Sequence, residues 1–198
     1  MAINRKQIIE SLSQVKIQGN EDGLIPAFNV LVNQLPAEFW NNFSELMVNS
    51  VPADMLDAAQ FLLMNAANEC GYHTGYGIIT SPEWNAVVAP MVEKVPEDVL
   101  HGAFAVFTAW GWAKSEIVEL IPGERMVVRA YDYYEADIVE RGRSKIPSAY
   151  MLQGVSAAFM DLAYGEPYPK GFRTFTCTQT KGIECGDDYG EFVVTKAK

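Results

Sequence analysis

Apolar positions recur at helical spacing through the first half of the chain and again around residue 155, with strand-like alternation on either side of that second region. Residues 4–15 carry Ile8, Ile9, Leu12 and Val15 on one side of a short amphipathic helix. A looser stretch follows, in which Gly19-Asn20-Glu21-Asp22-Gly23 reads as turn or loop. Pro36 opens a helix to about residue 48 that bears Phe39, Trp40, Phe43, Leu46 and Met47. Pro52 opens the next, with Met55, Ala59, Leu62, Leu63, Ala66 and Cys70 along one face, so Cys70 reads as a buried core thiol. Only Asn49-Ser50-Val51 separates the two, which makes them a helical hairpin. Ser81-Pro82 starts a short helix to residue 92. Pro96-Glu97-Asp98 starts another to residue 110, where Val99, Ala103, Val106, Phe107 and Trp110 make it apolar nearly all round.

The period then shortens. Over 114–120, Ile117 and Leu120 fall near one face and Glu116 and Glu119 near the other, with one slip of phase. Residues 126–130 read as a second strand, and Pro122-Gly123 between the two predicts a β-hairpin. A second hairpin follows from strands over 172–179 and 190–195, joined through Gly186-Asp187-Asp188. Between the hairpins, Met151, Val155, Ala158 and Leu162 form the stripe of a helix with Pro147 in its first turn and Gly165 at its end. Gly154, Ala157 and Ala158 are small enough for this helix to lie close to a sheet or to leave room beside it. The fold class is α+β: N-terminal helices packed on a four-stranded antiparallel sheet with a ββαββ core.

Composition narrows the function classes. The chain has 198 residues, of which 49% are apolar, enough for one domain with a real core. A net charge of −10 repels phosphate backbones and anionic surfaces, so no nucleic-acid partner is expected. The small basic cluster Arg141, Arg143 and Lys145 reads as a solvated end. No apolar run reaches the length of a membrane span, the N-terminus lacks a signal-peptide core, and three cysteines without a framework suit the cytoplasm.

Candidate chemistry is sparse. There are two histidines, and neither a Gly-x-Ser-x-Gly elbow, a Walker loop nor a dinucleotide fingerprint occurs. No catalytic residue stands out and no cofactor is expected, so the balance leans away from an enzyme. Asp187 and Asp188 read as turn formers, and His73 as a helix-end cap or dipole partner. His101 reads either as a satisfied or surface histidine or as a pocket-lining donor.

Gly111-Trp112 before a Glu-rich strand, Tyr134-Glu135-Ala136 after the second strand, Gly154 in the helix, and Gly186-Asp187-Asp188 leading to Phe192 together resemble the 4-vinyl-reductase-type domain. That family includes the sensory domains of phenol- and toluene-responsive transcription activators and archaeal hydrocarbon-binding proteins. It is similar to the palmitate-binding subunits of a vesicle-tethering complex. The resemblance covers roughly residues 55–196. It implies an N-terminal helix and arm over 1–35, a single domain over 36–198, and a hydrophobic cavity between helices and sheet. It also implies a homodimer through the helical layer, with Phe39, Trp40 and Phe43 as the candidate surface. The guest would be a small hydrophobic or aromatic molecule, held by a sensor or carrier. Its candidate wall is His101, Phe104, Phe107, Trp110, Trp112, Tyr134 and Phe159, and the resemblance places a ligand-contacting aromatic at Tyr134. Alternatives are a reductase-like enzyme of small aromatic or tetrapyrrole substrates, and a dimeric interaction subunit with a vestigial pocket. The family's zinc-binding members carry three cysteines and a glutamate at positions that fall here on Tyr150, Gln179, Gly182 and Gly190, none of them a good zinc ligand, so no metal is expected. Whether Cys177 and Cys185 pair is left open.

Overall fold

A computed structural model describes residues 3–15, 17–137 and 142–198; Arg141 of the basic cluster lies outside them. In chain order the elements are α1 (Arg5–Leu12), the short strands β1 (Pro26–Ala27) and β2 (Val30–Leu31), α2 (Ala37–Ser50), α3 (Leu56–Ile79), α4 (Pro82–Val87) and α5 (Glu97–Ala109). The remainder is β3 (Ala113–Ile121), β4 (Arg125–Tyr133), α6 (Tyr150–Tyr164), β5 (Phe175–Lys181) and β6 (Gly190–Lys196). The fold is α+β. No helix among the described residues is long and apolar enough to cross a membrane.

The last four strands form one antiparallel sheet in the order β3-β4-β6-β5. Two hairpins therefore meet at their second strands, with Val128 opposite Phe192 and Arg125 opposite Thr195. The first hairpin turns where Gly123 adopts φ +69° and the Glu124 N–H donates to the Ile121 carbonyl at 3.0 Å. The slip of phase in β3 is a register shift between Ile117 and Glu119, which leaves Val118 exposed. β5 starts at Phe175 rather than at residue 172, because Arg173 takes φ +64° in a turn closed by the Thr174 hydroxyl donating to the Gly171 carbonyl. Buried Asp161 of α6 accepts the N–H groups of Arg173 and Phe175 and so fixes where that strand begins.

The helices form two layers over the sheet. α5 lies on β3 and α6 on β5 and β6, while α1 packs on α5 and α3 on α6. The main core fills the space above the sheet, where Phe104 and Phe159 meet Met126, Val128, Phe192 and Val194. A second cluster on the other side of α5 joins Ile8 and Leu12 of α1 to Phe28, Ile78, Trp84 and Val106. Being covered on both sides, α6 is buried without a break from Tyr150 to Asp161.

The α3 face differs from its sequence pattern. Met55 and Leu62 are exposed, as are Ala66 and Cys70; the buried face is Ala59, Leu63, Ala67, Gly71 and Gly75. The reason is the close approach of two helices. A Cβ on Gly154 would fall 2.6 Å from the Asn68 backbone nitrogen, and one on Gly71 3.1 Å from Val155 Cα. Small residues, not large apolar ones, are what such a contact requires. Gly154 accordingly faces α3 and not the sheet. Pro147 also lies before the first turn of α6, which begins at Tyr150.

Candidate ligand cleft

Three helices that surround one point leave a narrow apolar cleft of about 80 Å³. α3 contributes Cys70, Gly71, Thr74, Gly75, Ile78 and Ile79, a run of about 14 Å at the helical rise. α5 faces it with residues from Val99 to Trp110, and α6 with Met151, Val155, Phe159, Leu162 and Ala163. Trp112, just ahead of β3, closes one end. No charged side chain lines the cleft, and its polar groups are the Cys70 thiol, the Thr74 hydroxyl and the two indoles. The glycines are what give it width: a Cβ on Gly75 would sit 2.7 Å from Leu162 Cδ1 and 3.3 Å from Phe159 Cε1.

Of the residues singled out from sequence, Phe107, Trp110, Trp112 and Phe159 line this cleft. Phe107 stacks on Trp112 with ring centres 5.5 Å apart and meets Phe159 edge-on at 6.0 Å. Phe104 stands behind the wall, in the main core, edge-on to Phe159 at 5.1 Å. His101 is not on the wall. Its carbonyl accepts from the Arg5 guanidinium, and burial first, then the charge of Arg5, hold its imidazole below the usual histidine range. Tyr134 is one layer back, edge-on to Trp112 at 5.6 Å. Burial raises its phenol, as does the neighbouring charge of Glu135; the hydroxyl is buried and makes no hydrogen bond among the described residues.

Cys70 stands at the mouth of the cleft, exposed, rather than in the core. His73 is neither cap nor dipole partner: it lies inside α3, and its Nδ1 hydrogen-bonds the Tyr168 hydroxyl at 2.8 Å. The α3 contribution was missed in sequence, although Gly71 and Gly75 are one helical turn apart and so mark a face of close approach. The cleft also lies between helices, whereas the space between helices and sheet is filled by core side chains.

At the start of α6 lies a buried polar network. Glu184 accepts the Tyr133 hydroxyl, the Gln179 side-chain N–H at 2.8 Å and the Ser148 N–H at 2.9 Å. Asp187 accepts the Gly182 N–H at 2.9 Å, the turn-forming role expected of it. Gln179, Gly182 and Gly190 gather around Glu184 and Tyr133, the space that side chains at the two glycines would need being taken by the carboxylate and the phenol. These residues do not fit a zinc ion, and no group of three His, Cys, Asp or Glu among the described residues is placed to hold a metal. Cys177 and Cys185 are both free thiols. Nearby, Glu135 is pushed up to about 8, mainly by burial and against the N–H groups of Met151 and Leu152 that it accepts.

The architecture is a helix-covered antiparallel sheet with an apolar cleft among its helices. It is shared with the phenol-responsive sensory domain of the transcription activator PoxR, solved with phenol: TM-score 0.71 and 12% identity over 99% of this chain and 92% of that one. It is shared also with trafficking protein particle complex subunit 3 from Naegleria fowleri, covalently bound to palmitic acid, at TM-score 0.56 and 12% identity over 82% and 93% of the two chains. A vinyl-4-reductase family protein from Methanocaldococcus jannaschii aligns at TM-score 0.49 and 11% identity, over 98% of this chain and 92% of that one. No protein-family profile matches the sequence, and no curated protein does.

Proposed function

We propose that the chain binds a small hydrophobic or aromatic molecule in the cleft between α3, α5 and α6, as a sensor or carrier, and does so as a homodimer. The observation that carries this reading is an apolar wall without a charged side chain. A guest gains there from the removal of apolar surface from water, about 25 cal/mol per Å². The volume sets its size. Pockets for drug-sized ligands measure roughly 300–1,000 Å³, so the cleft at about 80 Å³ suits a single small ring or the width of one chain. Anything larger has to move Met151, Leu162 or Phe107. The phenol-bound and palmitate-bound neighbours support small-molecule binding in this fold. Three free cysteines suit a reducing compartment such as the cytoplasm.

The dimer reading rests on a different feature. Phe39, Phe43 and Leu46 of α2, with Met55, Phe61 and Leu62 around the start of α3, are 44–67% exposed. Together they open several hundred Å² of apolar surface, on the scale of the roughly 800 Å² each partner gives to a standard interface. A second copy burying this face explains why its pattern reads as core in the sequence.

Native against denaturing mass spectrometry of freshly purified protein tests both parts. The expected spectrum holds two chains and a small mass that is lost on denaturation. Bare dimer that takes up neither phenol nor a fatty acid on titration would leave an interaction subunit and sink the binding reading.

A further inference from the structure

We propose that Glu135 is a positioning residue for the cleft, fixing the first turn of α6 and its Met151 wall only while its carboxyl is ionised. This rests on the reading of the cleft as a binding site. α6 has no cap of its own: Ala149 precedes it and its first turn carries no acidic residue. Glu135 reaches across from the turn after β4 instead. One of its oxygens accepts the Met151 N–H at 2.9 Å and the other the Leu152 N–H at 3.0 Å. A carboxylate can accept both, whereas a carboxylic acid commits one oxygen to an O–H that only donates well, so one N–H at the helix end loses its acceptor.

Both sides of the cleft hang on this contact. Met151 is itself a wall residue, and Val155 and Phe159 follow it at one and two further turns of the same face. On the other side, Tyr134 is joined to Glu135 by a peptide bond and supports Trp112 edge-on. The ionisable groups that face Glu135 are Glu184 from the turn after β5, Tyr133 and Tyr134 at the end of β4, and Tyr150 from α6. With its carboxyl pushed up to about 8, Glu135 changes state close to neutral pH.

The direction follows. An ordered wall binds a guest at lower entropic cost than a loose one, so affinity rises as pH increases through about 8. Stability moves the other way, because a folded-state value above the unfolded one favours the protonated protein; this contribution is complete below about pH 4 and lost through about pH 8. Opposite trends in affinity and stability distinguish a positioning role from a merely structural one.

The test uses anisole, a single-ring apolar guest uncharged across the range, titrated into the full chain by calorimetry from about pH 6.5 to about pH 9.5, with the thermal midpoint followed in parallel. Wild type is expected to gain roughly fivefold in affinity, the size of a helix cap's contribution, while its midpoint falls. In Glu135→Gln the amide NH₂ cannot accept, and affinity stays at the low-pH value throughout. A wild-type affinity that does not change with pH, or the same rise in Glu135→Gln, overturns the proposal. If the variant does not fold, the wild-type profile decides alone. Should the probe bind at no pH, the binding reading fails, and amide exchange over residues 150–155 judges the cap by itself. Protection that rises through about pH 8 supports it, and protection independent of pH refutes it.

Discussion

Asp98 and Asp161 are both buried carboxyls whose surroundings move them in opposite directions. Burial works to raise Asp98, but the N–H groups of Lys94 and Glu93, each donating at 2.8 Å, outweigh it and bring the group below its usual range. Asp161 is raised to about 6, with burial outweighing its bonds from Phe175, Asn68 and Arg173. The signs set a window. The contribution of Asp98 is present above about pH 4 and is lost below it, whereas those of Asp161 and Glu135 are complete below about pH 4 and are lost through about pH 6 and about pH 8. Thermal denaturation across pH is therefore expected to show a maximum near about pH 5 and a decline toward about pH 9. A midpoint climbing steadily over that interval would contradict the balance described. At this scale the sequence was partly legible. Asp98 was placed at the start of a helix, but its partners come from the turn before the helix, which no periodicity reveals. Glu135 drew notice only as the neighbour of Tyr134, because a cap supplied from a distant turn leaves no local signature.

Among the elements, the contact between α3 and α6 is the tightest constraint. Gly154→Ala would gain about 1 kcal/mol of helix propensity, but its Cβ would land on the Met64 carbonyl and 2.5 Å from Ala67 Cβ. Backbone cannot step aside as a flexible side chain can, and overpacking costs about 1–3 kcal/mol or more. A net loss of at least about 1 kcal/mol is expected in chemical denaturation; unchanged stability would mean that the helices do not approach as described. The strands and hairpins were the legible elements, because Pro122-Gly123 and the alternation around it carry their own geometry. The face of α3 was not legible. A run of apolar residues at helical spacing marks a surface that is to be covered, without saying by what, and small residues such as Gly71 and Gly75 carry little hydropathy even when they form the contact face.

For the whole molecule, that uncovered face makes a prediction about assembly. Phe43→Glu places a charge at the centre of the exposed α2 surface, 44% accessible in the single chain, where it costs the monomer little. Size-exclusion chromatography with light scattering is expected to shift from dimer toward monomer, with the thermal midpoint of the monomer nearly unchanged. A variant that remains a dimer would move the interface elsewhere. At the N-terminal end, Ile8 and Leu12 are packed into the second core, and α1 is held to the body by Arg5 donating to the carbonyls of His101 and Ser115.

The register shifts in β3 bear on the same question from the other side of the molecule. An open sheet edge recruits further strands wherever it is long, flat and uncharged. β3 is such an edge by position, yet its ladder is interrupted twice, between Ala113 and Ser115 and again between Ile117 and Glu119, and it exposes Lys114, Glu116 and Glu119. A strand laid alongside would lose register within a few residues and meet charges on the way. The β3 edge is thereby a poor template for strand addition, as a fibril or a continuous intermolecular sheet would require, which leaves the exposed apolar face of α2 and α3 as the surface for the proposed self-association.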